Sequence, residues 1–213
     1  MDGKGSDDML DRKGFDNWAQ DYEEDIMNAA ESDGYPFAGY WDIMDHIYQT
    51  IMKKPSCAVL ELGFGTGMLA SRLYDNGCLI CGQDFSEKMI ERAQLKMPRA
   101  RLYQGDLADG LAEELQKHRY DFIVSTYCLH HLTDDQKVIL LSRLLELLKP
   151  EGRIIIGDVA FESEADRERC ALQAGEEWDD EEYYFVAERM RRFFPQITFR
   201  AVSECGAILT LGN

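Results

Sequence analysis

The sequence lacks any long apolar run. No stretch approaches the ~20 apolar residues that cross a bilayer, and the start, Met-Asp-Gly-Lys-Gly-Ser-Asp-Asp, lacks the apolar core of a signal peptide. The six cysteines lie mostly in apolar, strand-like surroundings, where a free thiol behaves as a small hydrophobic side chain. We therefore expect a cytoplasmic protein with reduced thiols and no membrane partner.

The spacing of the cysteines does not indicate a metal site. Cys78 and Cys81 have the spacing of a Cys-x-x-Cys motif, but they fall in a predicted strand. Successive strand residues point to opposite faces, so these two thiols suit neither a redox pair nor half of a zinc site. The sequence predicts no metal site.

Basic residues are scarce. The 213-residue chain has 23 Lys and Arg against 40 Asp and Glu, a formal charge of −17. Nucleic-acid binding depends on clustered Lys and Arg, and no basic stripe is visible, so nucleic acid is excluded as an expected partner. With 45% hydrophobic residues, the length suits one globular domain with a full core.

Three glycines spaced two apart follow the apolar segment Val59–Leu62. The run Gly63-x-Gly65-x-Gly67 leads into a helical pattern and predicts a strand, a tight turn and a helix N-terminus. In an open α/β sheet, ligands bind at such a turn. A dinucleotide site prefers Gly-x-Gly-x-x-Gly, and Met68 occupies the position of the last glycine, which disfavours a nicotinamide-dependent oxidoreductase.

Acidic residues follow the next two predicted strands. Asp84 ends the second strand 84 − 63 = 21 residues after Gly63, near the ~20-residue distance at which nucleotide folds place a ribose-binding acid. Ser86 is the expected N-cap of the following helix. Asp106 follows Gly105 at the third strand end. Either acid alone could be a turn residue, but the ordered set predicts a ligand site.

Strands continue to alternate with helices. Strands are predicted at Tyr120–Thr126 and Arg153–Val159, with a capping box at Thr133 opening the helix between them. The end of the chain reads as two short strands, Ile197–Ser203 and Gly206–Leu211. This alternation predicts an α/β fold around a mostly parallel sheet with right-handed crossovers.

The glycine run, with Glu61 before it, resembles motif I of the class I S-adenosyl-L-methionine (SAM)-dependent methyltransferases. The segment Ser125–Asp135 and the later Glu182-Tyr183-Tyr184 look most like the small bacterial YrrT-type methyltransferases. The resemblance implies SAM as cofactor and S-adenosyl-L-homocysteine (SAH) as product. It also implies a Rossmann-like seven-stranded sheet with a C-terminal antiparallel hairpin, helices on both faces and an N-terminal helical cap.

The resemblance divides the single domain 1–213 into four parts. These are a tail and helical cap (1–54), a cofactor-binding core (55–159), substrate-side helices (160–195) and the hairpin (196–213). Within the third part, the acidic run from Glu176 to Glu182 is read as a solvated face. Asp158, which ends the fifth strand, is a candidate acceptor contact.

The resemblance also implies roles for individual residues. The turn would hold the methionine end of SAM, Asp84 the ribose, Phe85 and Met89 the adenine ring, and Asp106 the adenine amino group. The expected cofactor-binding set is Glu61, Gly63, Gly65, Gly67, Asp84, Phe85, Met89, Asp106, Leu107 and Ser125. The catalytic candidates are His131 first and His130 second, together with Tyr22 of the cap. Because adjacent residues of a helix or strand do not share one face, one of the two histidines is expected to be structural.

The expected function is methyl transfer from SAM to a small-molecule acceptor. The fourth strand is not followed by Asn/Asp-Pro-Pro-Tyr, as in amide and adenine methylases, and no Pro-Cys nucleophile is present. The alternatives are a SAM-binding regulatory or scaffold protein without catalysis, and a nicotinamide-dependent oxidoreductase. The expected assembly is a monomer or homodimer.

Overall fold

The computed structural model describes residues 34–212, together with Asn28 and Ala30. The prediction for Tyr22 lies outside these residues. In the described part, the strands are β1 Ala58–Leu62, β2 Leu79–Asp84, β3 Arg101–Gln104, β4 Tyr120–Thr126, β5 Leu148–Phe161, β6 Phe185–Val186, β7 Thr198–Ala201 and β8 Gly206–Gly212. The α-helices are α1 Tyr40–Met52, α2 Met68–Asp75, α3 Glu87–Lys96, α4 Glu113–Gln116, α5 Asp134–Glu146, α6 Glu164–Ala174 and α7 Ala187–Met190.

The strands form one sheet with the order β3-β2-β1-β4-β5-β8-β7, and the short β6 pairs with β5 outside this path. The pairs from β3 through to β5 are parallel. β8 runs antiparallel to β5, and β7 antiparallel to β8. The predicted Rossmann-like sheet with a C-terminal antiparallel pair is confirmed.

Helices cover both faces of the sheet, as alternation along β5 shows. Ile154 and Ile156 join a core cluster that contains Leu140 and Leu144 of α5. Ile155, between them, faces a second cluster that contains Ile47 of α1. Each central strand is thus buried on both faces, which explains its nearly continuous apolar sequence.

The local signals for helix starts are confirmed. The Ser86 hydroxyl accepts the Met89 N–H at the start of α3. Thr133 and Gln136 form the predicted capping box of α5. The structure corrects the start of the fifth strand, because β5 begins at Leu148 rather than Arg153. The Pro150–Gly152 stretch, which reads as a turn, is an irregularity within that strand.

Among the described residues, no helix combines the length and the apolar character needed to cross a bilayer.

Candidate functional site

The glycine turn after β1 lies at the carboxyl edge of the sheet. The φ angles of Gly63, Gly65 and Gly67 are +62°, +55° and +78°, a region that other residues rarely adopt. A Cβ on Gly63 would lie only 2.0 Å from the Cys128 Sγ. Position 63 therefore requires glycine both for its conformation and for space.

The side chain of Asp84 fixes this turn. Asp84 is buried at the end of β2, where its Oδ2 accepts the Gly65 N–H at 2.8 Å and its Oδ1 accepts the Ser86 N–H at 3.0 Å. The carboxylate thus joins the ends of β1 and β2. A carboxylate can accept about four hydrogen bonds, so a structural role and ligand binding are compatible.

A cavity of about 250 Å³, here called the glycine-turn cavity, opens beside this edge. It brings together half of the expected cofactor-binding set and one of the histidines. Its lining includes Gly63, Asp84, Phe85, Asp106, Leu107 and His131. A larger depression of about 610 Å³, beside Lys54 and Glu151, contains none of the predicted site residues.

The other expected cofactor contacts do not line this cavity. Gly65 and Gly67 belong to the adjoining turn. Met89 is only 1% exposed and lies in the core. The Ser125 hydroxyl donates to the Leu62 carbonyl oxygen at 3.0 Å, tying β4 to β1. The structure thus gives Met89 and Ser125 packing and bonding partners within the protein.

Glu61 is a buried acid one residue from the end of β1. Its Oε2 has no hydrogen-bond partner among the described residues. Burial, and after it the negative charge of Asp84, raise the pKa of Glu61 to about 8, although a hydrogen bond from the Ala70 backbone opposes them. An unpaired buried carboxyl oxygen beside a glycine turn suits the cationic amino group of SAM. The unpaired carboxyl oxygen and the glycine turn therefore fit the expected cofactor.

A second cavity of about 220 Å³, here called the aromatic cavity, is lined by Tyr35, Phe37, Tyr127, Tyr184 and His130 among others. Tyr35 stacks on Trp178 with ring centroids 5.2 Å apart, and its hydroxyl is hydrogen-bonded to that of Tyr184. Glu177, Asp179 and Glu182 add three carboxyl groups to the lining. Four of the lining residues, Glu177, Asp179, Glu182 and Tyr184, come from the predicted substrate-side segment.

Two polar atoms beside the aromatic cavity are buried and unpaired. Within residues 34–212, neither the Tyr127 hydroxyl nor the Asp158 Oδ2 has a hydrogen-bond partner. Burial places the pKa of Tyr127 well above its usual value, so the group remains a hydroxyl donor. Such atoms are normally satisfied by water or by a ligand.

The two candidate histidines separate onto the two cavities. His131 lines the glycine-turn cavity and His130 the aromatic cavity, with ring centroids 4.2 Å apart. The His130 Nδ1 is 2.6 Å from the Asp158 Oδ1. Burial alone would lower the pKa of His130, but the charge of Asp158 and the hydrogen bond to it raise that pKa.

The structure corrects the reading of Glu182 as part of a solvated face. Its side chain is only 9% exposed, and its Oε1 lies 2.9 Å from the His131 Nδ1. Burial tends to raise the pKa of Glu182, but the hydrogen bond to His131 and the charges of both histidines lower it. No spacing signal links residues 51 positions apart, which is why sequence reasoning missed this contact.

The sequence and the fold are similar to those of known methyltransferases. Residues 59–152 match the family described as methyltransferase domain. The chain is 32% identical over 193 residues to an uncharacterized methyltransferase of Geobacillus sp. (strain WCH70), covering 87% of each chain. It is 29% identical to one of Oceanobacillus iheyensis, again covering 87% of each. Among solved structures it is similar to magnesium protoporphyrin IX methyltransferase from Synechocystis PCC 6803 with bound SAH, at 19% identity and a TM-score of 0.67, covering 95% of this chain and all of the other.

Proposed function

Because this chain belongs to the class I SAM-dependent methyltransferases, we propose that it transfers the methyl group of SAM to a small-molecule acceptor bound in the aromatic cavity. SAM supplies the reactive methyl group when bound. The protein therefore has to bind SAM and the acceptor, orient them towards each other and exclude water. The YrrT-type assignment stays a prediction. The alternative of a SAM-binding protein without catalysis is not favoured by the comparisons.

The glycine-turn cavity is the proposed cofactor site. The turn from Gly63 and the unpaired Oε2 of Glu61 would hold the methionine end. Asp84, at the end of β2, would accept the ribose hydroxyls. Phe85, Asp106 and Leu107 are placed for the adenine ring. Their shared position at one sheet edge supports these assignments.

The aromatic cavity is the proposed acceptor site. None of the described residues that line it is a lysine or arginine, whereas three are carboxylic acids. This electrostatic balance favours a neutral or cationic acceptor over an anionic one. The unpaired Tyr127 hydroxyl and Asp158 Oδ2 favour an acceptor that carries hydrogen-bonding groups.

The observation that carries the proposal is the placement of the two histidines. Because His131 lines one cavity and His130 the other, with 4.2 Å between ring centroids, a cofactor and an acceptor would meet at this pair. Positioning of two reactants can supply about 7–11 kcal/mol in favourable cases. The histidines would thus border the path of transfer.

Calorimetric titration of SAM, SAH and NAD into the purified protein tests the proposal. We expect SAM and SAH to bind in the micromolar range and NAD not to bind. A screen of neutral and cationic acceptors, read out by SAH release, then tests the acceptor class. Absence of heat from both SAM and SAH would overturn the cofactor assignment, and turnover of anionic acceptors alone would overturn the acceptor class.

A further inference from the structure

Three side chains with metal-ligand atoms meet where the two cavities adjoin. One atom each from His130, His131 and Glu182 lies within 4.8 Å of the other two. The Glu182 Oε1 lies 2.9 Å from the His131 Nδ1, a hydrogen bond whose proton an ion bound by both side chains would replace. Two imidazoles and a carboxylate are a recurrent ligand set of transition metals.

Asp158 gives His130 the orientation that a ligating histidine needs. A carboxylate only accepts hydrogen bonds, so the 2.6 Å contact of the Asp158 Oδ1 places the proton on the His130 Nδ1. The lone pair is then on Nε2. Asp158 is itself fully buried, and its Oδ1 also accepts the Val159 N–H at 2.8 Å. A carboxylate behind a ligating histidine is the usual arrangement in metal sites.

The backbone holds the third ligand in place. The Tyr183 N–H donates to the His130 carbonyl oxygen at 2.8 Å. This bond fixes the residue after Glu182 to the short 3₁₀ helix Leu129–His131, here called the histidine turn. The ammonium group of Lys137, buried in α5, donates to the Tyr183 carbonyl oxygen. Ligands from two distant parts of the chain are therefore positioned before any ion arrives.

We propose that His130, His131 and Glu182 bind a divalent transition-metal ion, with Zn²⁺ as the reference case, leaving a coordination position for the acceptor. Oxygen-preferring ions such as Mg²⁺ suit this nitrogen-rich set less well. The inference rests on the proposed function. A metal-bound hydroxyl or thiol loses its proton more easily, so the ion would generate the nucleophile without a separate base.

The proposed methyl transfer conserves atoms and electrons. The acceptor heteroatom gives its proton to solvent water and forms the new bond to the methyl carbon. The carbon–sulfur bond of the sulfonium breaks, and the sulfur keeps that electron pair as SAH forms. The metal ion changes neither oxidation state nor composition, so no further reactant is required.

Metal binding can be measured without turnover. Protein freed of metal with a chelator is titrated with Zn²⁺ by calorimetry and with Co²⁺ by absorption. We expect one equivalent to bind, and Glu182→Gln to weaken binding at least tenfold. Glu181→Gln, which removes the same charge from the exposed neighbouring residue, should bind as the wild type does. Equal affinity in the two variants, or no binding by the wild type, would overturn the site.

Two further readouts locate the ion. Zn²⁺ should protect His131 from diethyl pyrocarbonate while the exposed His118 reacts as before, a test that uses only the wild type. Thiolate-to-cobalt charge-transfer bands would place the ion at cysteines instead and overturn the proposal. SAM titration of the same samples separates the two inferences, because cofactor binding without a metal site refutes only the metal, and a metal site without SAM binding refutes only the function.

Discussion

The side chain of Asp84 and the backbone of Gly65 share a hydrogen bond of 2.8 Å, which joins the end of β2 to the turn after β1. The residue expected to hold the ribose therefore also shapes the backbone expected to hold the methionine end of SAM. Ligand affinity and local stability are coupled at this position.

Replacing Asp84 tests that coupling. Asp84→Asn keeps the size of the side chain but loses one oxygen that accepts a backbone N–H. We expect SAM affinity to fall by about 1.5–3 kcal/mol, since hydrogen bonds to charged groups have this worth, and the melting temperature to fall as well. Asp75→Asn, at an exposed position, should change neither. Unchanged affinity in a folded Asp84→Asn protein would remove Asp84 from the cofactor site.

Gly63 and Cys128 form a steric pair. In Gly63→Ala, the new Cβ would lie 2.0 Å from the Cys128 Sγ, with φ at +62°. We expect a loss of about 3 kcal/mol or more in the free energy of unfolding. In a Cys128→Gly background, the same change should cost only the backbone strain, about 1–2 kcal/mol. Denaturant unfolding of the four proteins in this cycle measures the coupling, and additive costs would refute the clash.

Glu61 predicts a pH dependence. Its pKa is raised to about 8 in the folded protein, mainly by burial and then by Asp84, against about 4.3 in an unfolded chain. The folded state thus binds more protons between these values, and the free energy of unfolding contributed by Glu61 falls as pH rises from about 4 to 8. Glu61→Gln should remove this contribution, so that it is more stable than the wild type at pH 8 without ligand.

Thermal melts at about pH 5 and pH 8 compare the two proteins. SAM should bind Glu61→Gln more weakly, because the amide cannot pair ionically with its amino group. A fall in melting temperature that is the same in both proteins would exclude Glu61 as its source.

Asp121 lies near the start of β4, at the opposite end of the parallel strands from the cavities, and its pKa is shifted in the opposite direction from that of Glu61. Burial opposes its ionisation, but the Ala58 N–H, Lys149 and Lys54 together lower its pKa to about 2. This stabilisation is present above the unfolded pKa of about 3.9 and is lost as pH falls toward 2.

We therefore expect Asp121→Asn to cost about 2 kcal/mol of stability at neutral pH, measured by denaturant unfolding. SAM affinity should be unchanged, since Asp121 is remote from both cavities. The difference from the wild type should shrink in acid. A cost that stays constant down to pH 2 would show that the charge of Asp121 is not its cause.

Local signals in the sequence predicted much of the fold. Ser86 and Thr133 begin helices through contacts three residues away, so the sequence nearby contains the whole signal. The start of β5 was wrong because Pro150 and Gly152 read as a turn, whereas Leu148 pairs with Tyr120 across an irregular register. Pairing with a neighbouring strand decided that boundary.

The candidate site likewise contains residues that local sequence signals predict and residues that only long-range contacts bring there. Gly63, Asp84 and Asp106 follow parallel strands and therefore meet at one edge, as strand-end spacing predicts. The partners of the histidines were harder. The contact of Asp158 with His130 follows from strand order, because His130 comes after β4 and Asp158 lies in the neighbouring parallel strand β5. In the structure Gly157, just before Asp158, pairs with Thr126 at the end of β4. Glu182 depends on how a later segment folds back, and neither spacing nor composition encodes that.

The two ends of the seven-residue strand β4 have different roles: one end stabilises the fold, and the other leads to the candidate site. Its second residue, Asp121, anchors lysines at one edge, and the histidine turn begins just beyond its last residue about 20 Å away. Substitutions that strengthen the Asp121 end can raise the thermal tolerance of the protein without touching the cavities. Evolution, or an engineer, can therefore accumulate stability at one end of this strand and use it to explore new acceptors at the other.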